Sequence, residues 1–205
     1  MKLSNSSLEE LMFLAYSDDL RHQIDVQRKY DNYWRKDPTL IKVDRIFKIL
    51  KSVTMGCCHG GVSGMNGSVR PSSLIRILSA LGHHGGMFFD FGCGYGIVLL
   101  VALAMGFNIA TGCELPVNSA QRIAFEATKA AITVYPAAYW LGQDILQLNL
   151  PLQTREQISS AYAFWVGMPE PVQRRILDLC RSSFINIRSI AVFLDRKWPK
   201  PENGN

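Results

Sequence analysis

No apolar run in this sequence is long enough to cross a bilayer. The longest, Ile97 to Phe107 (IVLLVALAMGF), falls well short of the roughly 20 residues that a spanning helix requires. It reads instead as a buried helix, and no membrane partner is expected. Near the N-terminus, Glu9 and Glu10 interrupt the apolar stretch that follows Lys2, which is not the pattern of a secretory signal. Cysteine is scarce and unpatterned. Cys57, Cys58, Cys93, Cys113 and Cys180 are odd in number and show no framework spacing, so free thiols in a reducing, intracellular compartment are expected. Cys57-Cys58-His59 lacks a CxxC partner. Adjacent cysteines rarely make a good tetrahedral pair, so no metal centre is expected there. Internal repeats, low-complexity segments and dense basic runs are absent too.

What is present is an ordinary globular composition over 205 residues, 48% hydrophobic and 19% charged. This length suits one domain with an N-terminal extension, and such a chain can bury roughly 70% of its unfolded surface without staples. The formal net charge of +5 is uneven. Residues 174–205 carry seven basic and three acidic groups, hence +4. Residues 1–55 carry ten and eight, hence +2, which leaves −1 for the middle. A basic C-terminal region (RKWPKP) suits an anionic partner such as nucleic acid or a nucleosome, or it serves solubility alone. Trp198 within it can stack on a base or pack on the domain.

Residues 7–27 are expected to be helical, with Ser7 and Glu10 forming a capping box. Residues 39–53 repeat the pattern through Leu40, Ile41, Val43, Ile46, Phe47, Leu50 and Val53, which is helical spacing. This helix, with Tyr30 and Trp34, serves either as a packed cap or as a lid over a cleft. Gly56 to Gly67 has no periodicity. Pro71 then opens a short helix that Gly82 ends. From Met87 strands and helices alternate: MFFDF, a glycine loop, IVLLVALAMG, NIATGCE, NSAQRIAFEATKAAITV, a strand near Ala138 to Leu141, AYAFWV, PVQRRILDLCRSS and SIAVFLD. Alternation of this kind predicts a parallel sheet with crossover helices. Near-continuous apolar strands predict that both of its faces are covered.

The loop FFDFGCGYG, residues 88–96, carries the functional signal. A strand, a glycine-rich turn and an apolar helix place it at the carboxyl edge of the sheet, where such folds bind ligands. A phosphate-binding GxxxxGK[ST] loop is excluded, because its lysine is missing. A dinucleotide GxGxxG register starting at Gly92 puts Ile97 where the third glycine belongs. Asp90 at the loop would also repel a pyrophosphate in a low-dielectric cleft. A ligand with cationic groups and no phosphate suits it, and S-adenosylmethionine is such a ligand. Glu114 ends the next strand, where an acid can accept from ribose hydroxyls. Asp144 follows the strand after that, where a cap or turn residue is expected.

The pattern Asp90-x-Gly92-x-Gly94-x-Gly96 resembles the first motif of the class I (Rossmann-like) methyltransferases. The arrangement from about Asn66 to Lys200 is most similar to the non-SET histone lysine methyltransferases, the disruptor-of-telomeric-silencing family. Phe89 to Gly96 is similar to that family's cofactor loop, Gly112-Cys113-Glu114 to its acidic strand end, Phe164 to Glu170 to its acceptor-side strand, and Ile190 to Lys197 to its fifth strand. Two of the family's motifs are replaced here: Met65-Asn66-Gly67-Ser68 stands for Tyr-Gly-Glu, and Val166-Gly167-Met168 for Asn-Asn-Phe. Ten residues follow the fifth strand, so a sixth and seventh strand are not expected.

The resemblance implies an N-terminal helical extension and loop over residues 1–66, a Rossmann-like methyltransferase domain of about five parallel strands over 67–200, and a tail over 201–205. It implies S-adenosylmethionine as the cofactor. The loop residues Asp90, Gly92, Cys93, Gly94, Tyr95 and Gly96 would hold it, with Glu114, Leu115, Asp144 and Ile145 from the next two strand ends. The resemblance implies that Asp144 meets the adenine amino group instead of serving as a cap or turn residue. Trp165 and Met168 would line the acceptor side. The implied acceptor is a histone or other protein lysine, with a nucleosome as partner and a nuclear location. The alternatives are a catalytically inactive cofactor-binding subunit or scaffold, an RNA or small-molecule methyltransferase, and, more remotely, a nicotinamide-dependent dehydrogenase.

Overall fold

In the computed structural model the described residues are 37–54, 71–82, 86–132, 137–165 and 168–193. The expected helix over 7–27, Cys57-Cys58-His59, Tyr30, Trp34, Met65 to Ser68, Val166-Gly167 and the basic segment around Trp198 all lie outside them. The chain divides into two units, Met1–Lys42 and Val43–Asn205. In the first, Asp37 starts helix α1 (Pro38–Val53) by accepting from the Thr39 amide at 2.7 Å. That satisfies one of the orphan donors of a helix start.

In the second unit, α1 continues with Val43, Ile46 and Leu50 buried. Helix α2 (Pro71–Leu81) follows, with proline at its first position, where the missing N–H costs nothing. Five strands then alternate with helices: β1 (Met87–Phe91), α3 (Ile97–Ala104), β2 (Ile109–Glu114), α4 (Ser119–Ile132), β3 (Ala138–Gly142), α5 (Leu152–Gln157), β4 (Ile158–Phe164), α6 (Glu170–Asp178) and β5 (Ser189–Phe193). All four neighbouring pairs are parallel, in the order β3-β2-β1-β4-β5. The parallel sheet expected from the sequence is therefore present. The order reverses at β1, so the crevice at the carboxyl end of β1 lies at the switch point of the topology.

Side chains alternate between the faces of a strand, and β1 divides its residues accordingly. Met87, Phe89 and Phe91 join one apolar cluster with Ala161, Ala163, Ile176, Leu179 and Phe184. Phe91 stacks on Phe184 at 5.8 Å between centroids, and Phe89 meets the same ring edge-on at 5.5 Å. Phe88 points the other way, to Phe107 at 5.2 Å. Burying each of these phenylalanines contributes about 1.5–3 kcal/mol. Helix α3 is apolar all round, with Leu99, Leu100, Val101 and Ala102 wholly buried, as expected of a helix enclosed by its neighbours. No helix among the described residues is long and apolar enough to cross a membrane.

Several boundaries differ from the sequence expectation. The strand expected over AYAFWV begins earlier, at Ile158, and ends at Phe164. Ile158 and Ser160 are drawn into it by pairing with Met87 and Phe88 of β1, across a register shift at Ser159, and context of this kind overrides propensity. Trp165 thus lies just past the strand. The helix expected to run to Ser183 is α-helical only to Asp178 and continues as a π-turn over Leu179–Ser183. Helix α3 ends at Ala104, before Gly106 at φ 103°. The short helix α5 and a 3-10 turn at Ile145–Gln147 were not expected, because neither is long enough to show periodicity.

Candidate functional site

The loop after β1 makes three left-handed turns of backbone, at Gly92 (φ 78°), Gly94 (φ 49°) and Gly96 (φ 67°). Residues with side chains seldom adopt such angles. The loop folds back over β2. The amides of Gly92 and Cys93 both donate to the Cys113 carbonyl, at 2.9 and 3.0 Å. This return needs Gly112 on β2, since a Cβ there would sit 2.6 Å from Cys93 Cβ.

Gly94 is clamped on both sides of its backbone. Its amide donates to Glu114 Oε2 at 2.8 Å, and its carbonyl accepts from Trp140 Nε1 at 2.8 Å. Residues of β2 and β3 thereby hold the loop that follows β1. Trp140→Phe removes the indole donor along with part of the ring. Leaving a buried carbonyl unpaired costs about 1–3 kcal/mol, so the urea midpoint should fall with an unchanged slope. An unchanged midpoint would mean that the indole does not pin the loop.

Strand register sets Trp140, Gly112, Asp90 and Tyr162 side by side in one row across β3, β2, β1 and β4. Asp90 is 1% exposed, and its Oδ1 has no hydrogen-bond partner, nor has the buried Tyr162 hydroxyl. Burial, and then the charge of Glu114, push the Asp90 carboxyl well above the usual carboxylate range. Burial, with Asp90 next to it, likewise raises the Cys93 thiol and the Tyr162 phenol. Both cysteines are free and buried, and burial raises Cys113 as well. They are held as thiols, and a protonated thiol is a poor nucleophile.

Glu114 sits at the end of β2. Its Oε1 accepts from the Leu115 amide and from Asn118 Nδ2, both at 2.9 Å. A groove of about 530 Å³ opens beside it, between the loops after β2 and β3. Leu115, Pro116, Val117, Gly142, Asp144 and Gln147 are among its walls. Asp144 also caps the 3-10 turn, accepting from the Leu146 amide at 2.9 Å.

The fold thus brings Asp90, Gly92, Cys93, Gly94 and Gly96 together with Glu114 at one sheet edge. Leu115 and Asp144 lie along the adjoining groove, and Tyr95 is half-buried in the loop. Ile145 is buried in the apolar cluster, as is Trp165, with Met168 packed against its margin. Met168 also reaches the loop: a Cβ on Gly92 would meet its Cε at 2.9 Å. Gln173 Nε2 holds the Met168 carbonyl at 2.9 Å.

Trp140, Asn118, Tyr162 and Phe125 were not singled out as site residues from the sequence. An asparagine at a helix start four residues after a strand-ending acid is a usable signal for Asn118. Trp140 and Tyr162 carry none, because only sheet register places them.

No family model matches the sequence, and no curated protein does. Solved structures do. The chain is similar to the [4+2]-cyclase SpnF, at 21% identity over 65% of this chain and 52% of that one, with a TM-score of 0.43. It is similar to the 23S rRNA methyltransferase ErmE, at 15% identity over 62% and 48%, TM-score 0.44. It is also similar to the C-terminal domain of precorrin-6Y C5,15-methyltransferase from Rhodobacter capsulatus, at 16% identity over 59% and 60%, TM-score 0.41. The chain spans about half the length of the first two structures. No residue role or substrate is carried across at these identities. The parallel sheet in the order β3-β2-β1-β4-β5, with helices alternating between its strands, is a Rossmann-like arrangement, and these likenesses carry nothing beyond it.

Proposed function

We propose that this chain binds S-adenosylmethionine at the carboxyl edge of its sheet and transfers the methyl group to an amine, with a protein lysine as the first acceptor to test. The carrying observation is Asp90: a buried carboxyl with an unpartnered oxygen, behind a glycine turn and electrostatically coupled to the carboxylate of Glu114. A phosphate brought to two acids is repelled, whereas a cationic group favours the ionised carboxylate. The residues present fit the cofactor on that ground. Asp90 and the Gly92–Gly96 backbone would hold its charged end, Glu114 its ribose, and the groove beside Asp144 its base.

When bound, S-adenosylmethionine supplies an electrophilic methyl on a sulfonium. The chain's part is then to align the acceptor and keep water out, so positioning carries most of the rate. Met168 over Gly92, and Trp165 behind it, would border the acceptor. The lysine preference rests on the sequence resemblance at Phe164 to Glu170, as do a nucleosomal partner and a nuclear location. A catalytically inactive cofactor-binding subunit and an RNA or small-molecule enzyme are the other outcomes of the test.

The test is calorimetric titration of S-adenosylmethionine and, separately, of NAD into the folded protein and into Glu114→Ala. We expect micromolar binding of S-adenosylmethionine only, lost in the variant. Radiolabelled methyl transfer to nucleosomes, free histones and RNA then assigns the acceptor. Tight binding of NAD, or no binding of S-adenosylmethionine to folded protein, would remove this reading.

A further inference from the structure

We infer that Glu114 reads a single hydroxyl of the cofactor's ribose, and that Asn118 is the positioning residue that limits it to one. The inference rests on the S-adenosylmethionine reading above. A carboxylate offers about four acceptor positions, two on each oxygen. Both positions on Oε1 are taken, by the Leu115 amide and by Asn118 Nδ2. One position on Oε2 is taken by the Gly94 amide. A single position remains, on Oε2. A strand-end acid with both oxygens open can pair with two neighbouring hydroxyls; this one has a place for one.

The three donors are not free to leave. Gly94 is held from its other side by the Trp140 indole. The Leu115 amide belongs to the residue next in the chain. Asn118 is 7% exposed and built into the start of α4. Its amide donates to the Leu115 carbonyl at 3.0 Å, and its own carbonyl accepts from the amides of Gln121 and Arg122 at 2.9 and 3.4 Å. Of the three donors, only that of Asn118 belongs to a side chain, so it is the one a substitution can remove. Removing it opens a second acceptor position, on Oε1.

The experiment is calorimetry with S-adenosylhomocysteine, its 2′-deoxy form and its 3′-deoxy form, on the parent and on Asn118→Ala, with thermal melts to confirm folding. For the parent, one deoxy form should bind about tenfold or more weakly, the scale of one hydrogen bond to a charged group. The other should stay within about twofold, having no bond to lose. In Asn118→Ala both deoxy forms should fall below S-adenosylhomocysteine, because both hydroxyls are then read. Equal losses for the two deoxy forms in the parent would show two-hydroxyl recognition and overturn the inference, and no loss for either would overturn it as well. If Asn118→Ala weakens all three ligands by one common factor, the residue only supports the loop and its assigned role is wrong. Failure of S-adenosylhomocysteine itself to bind the folded parent is a separate result, which removes the cofactor reading and this inference with it.

Discussion

Gly96→Ala should be more damaging than the same substitution at Gly92. Two independent costs add. At φ 67° a residue with a side chain loses about 1–2 kcal/mol to left-handed strain. The new Cβ would also stand 2.3 Å from Phe125 Cδ2 and 2.8 Å from its Cε2. Phe125 is wholly buried in α4, so its ring has nowhere to swing, and overpacking of this kind costs about 1–3 kcal/mol. Together they remove about 2–5 kcal/mol from a typical total of about 5–15. Gly92→Ala is the comparison. It carries a similar backbone strain at φ 78°, but its new Cβ meets only Met168 Cε, at 2.9 Å, the far end of a flexible side chain that can turn aside. Guanidinium melts should therefore show a clearly larger midpoint loss for Gly96→Ala than for Gly92→Ala. Equal losses would mean that backbone strain alone is at work and that Phe125 does not close on the loop.

Asp90→Asn should move stability and binding in opposite directions. Asp90 holds its proton more tightly folded than unfolded, because burial and then Glu114 raise its pKa. Such an acid leaves stability intact below the unfolded pKa of about 4. Stability is then lost as pH rises from there to the raised folded pKa, and is flat beyond it. At neutral pH the unliganded protein therefore bears the cost of this carboxyl. Asparagine does not titrate. The variant should be more stable than the parent at neutral pH, with that gain shrinking towards pH ~4. S-Adenosylmethionine affinity should fall about tenfold or more, the loss of one charge-assisted contact. Denaturant melts across pH, paired with calorimetry, check both signs. A variant less stable at neutral pH with undiminished affinity would show Asp90 to be a structural residue and not a ligand-facing one.

Much of the fold was legible because the signals that specify it are local. Phe88, Phe89 and Phe91 around Asp90 read as a strand covered on both faces, and the structure buries all four. The all-apolar stretch from Ile97 read as an enclosed helix. Asp90 and Glu114 were legible as site candidates because acids at the ends of apolar strands stand out. The short helix α5, the π-turn after Asp178 and the true start of β4 were not legible. Each depends on what packs or pairs against it, not on its own composition.

By itself the sequence determined the alternation of strands and helices, the three glycines and the two acids, because periodicity and turn chemistry act over a few residues. It left open which groups would meet. Trp140 reaches Gly94 across 46 positions of chain, and Glu114 reaches it across 20. Met168 closes on Gly92 only because β4 lies beside β1. Strand order and register decided these contacts. They are set by burying both faces of the sheet at once, a condition that no local stretch of sequence states.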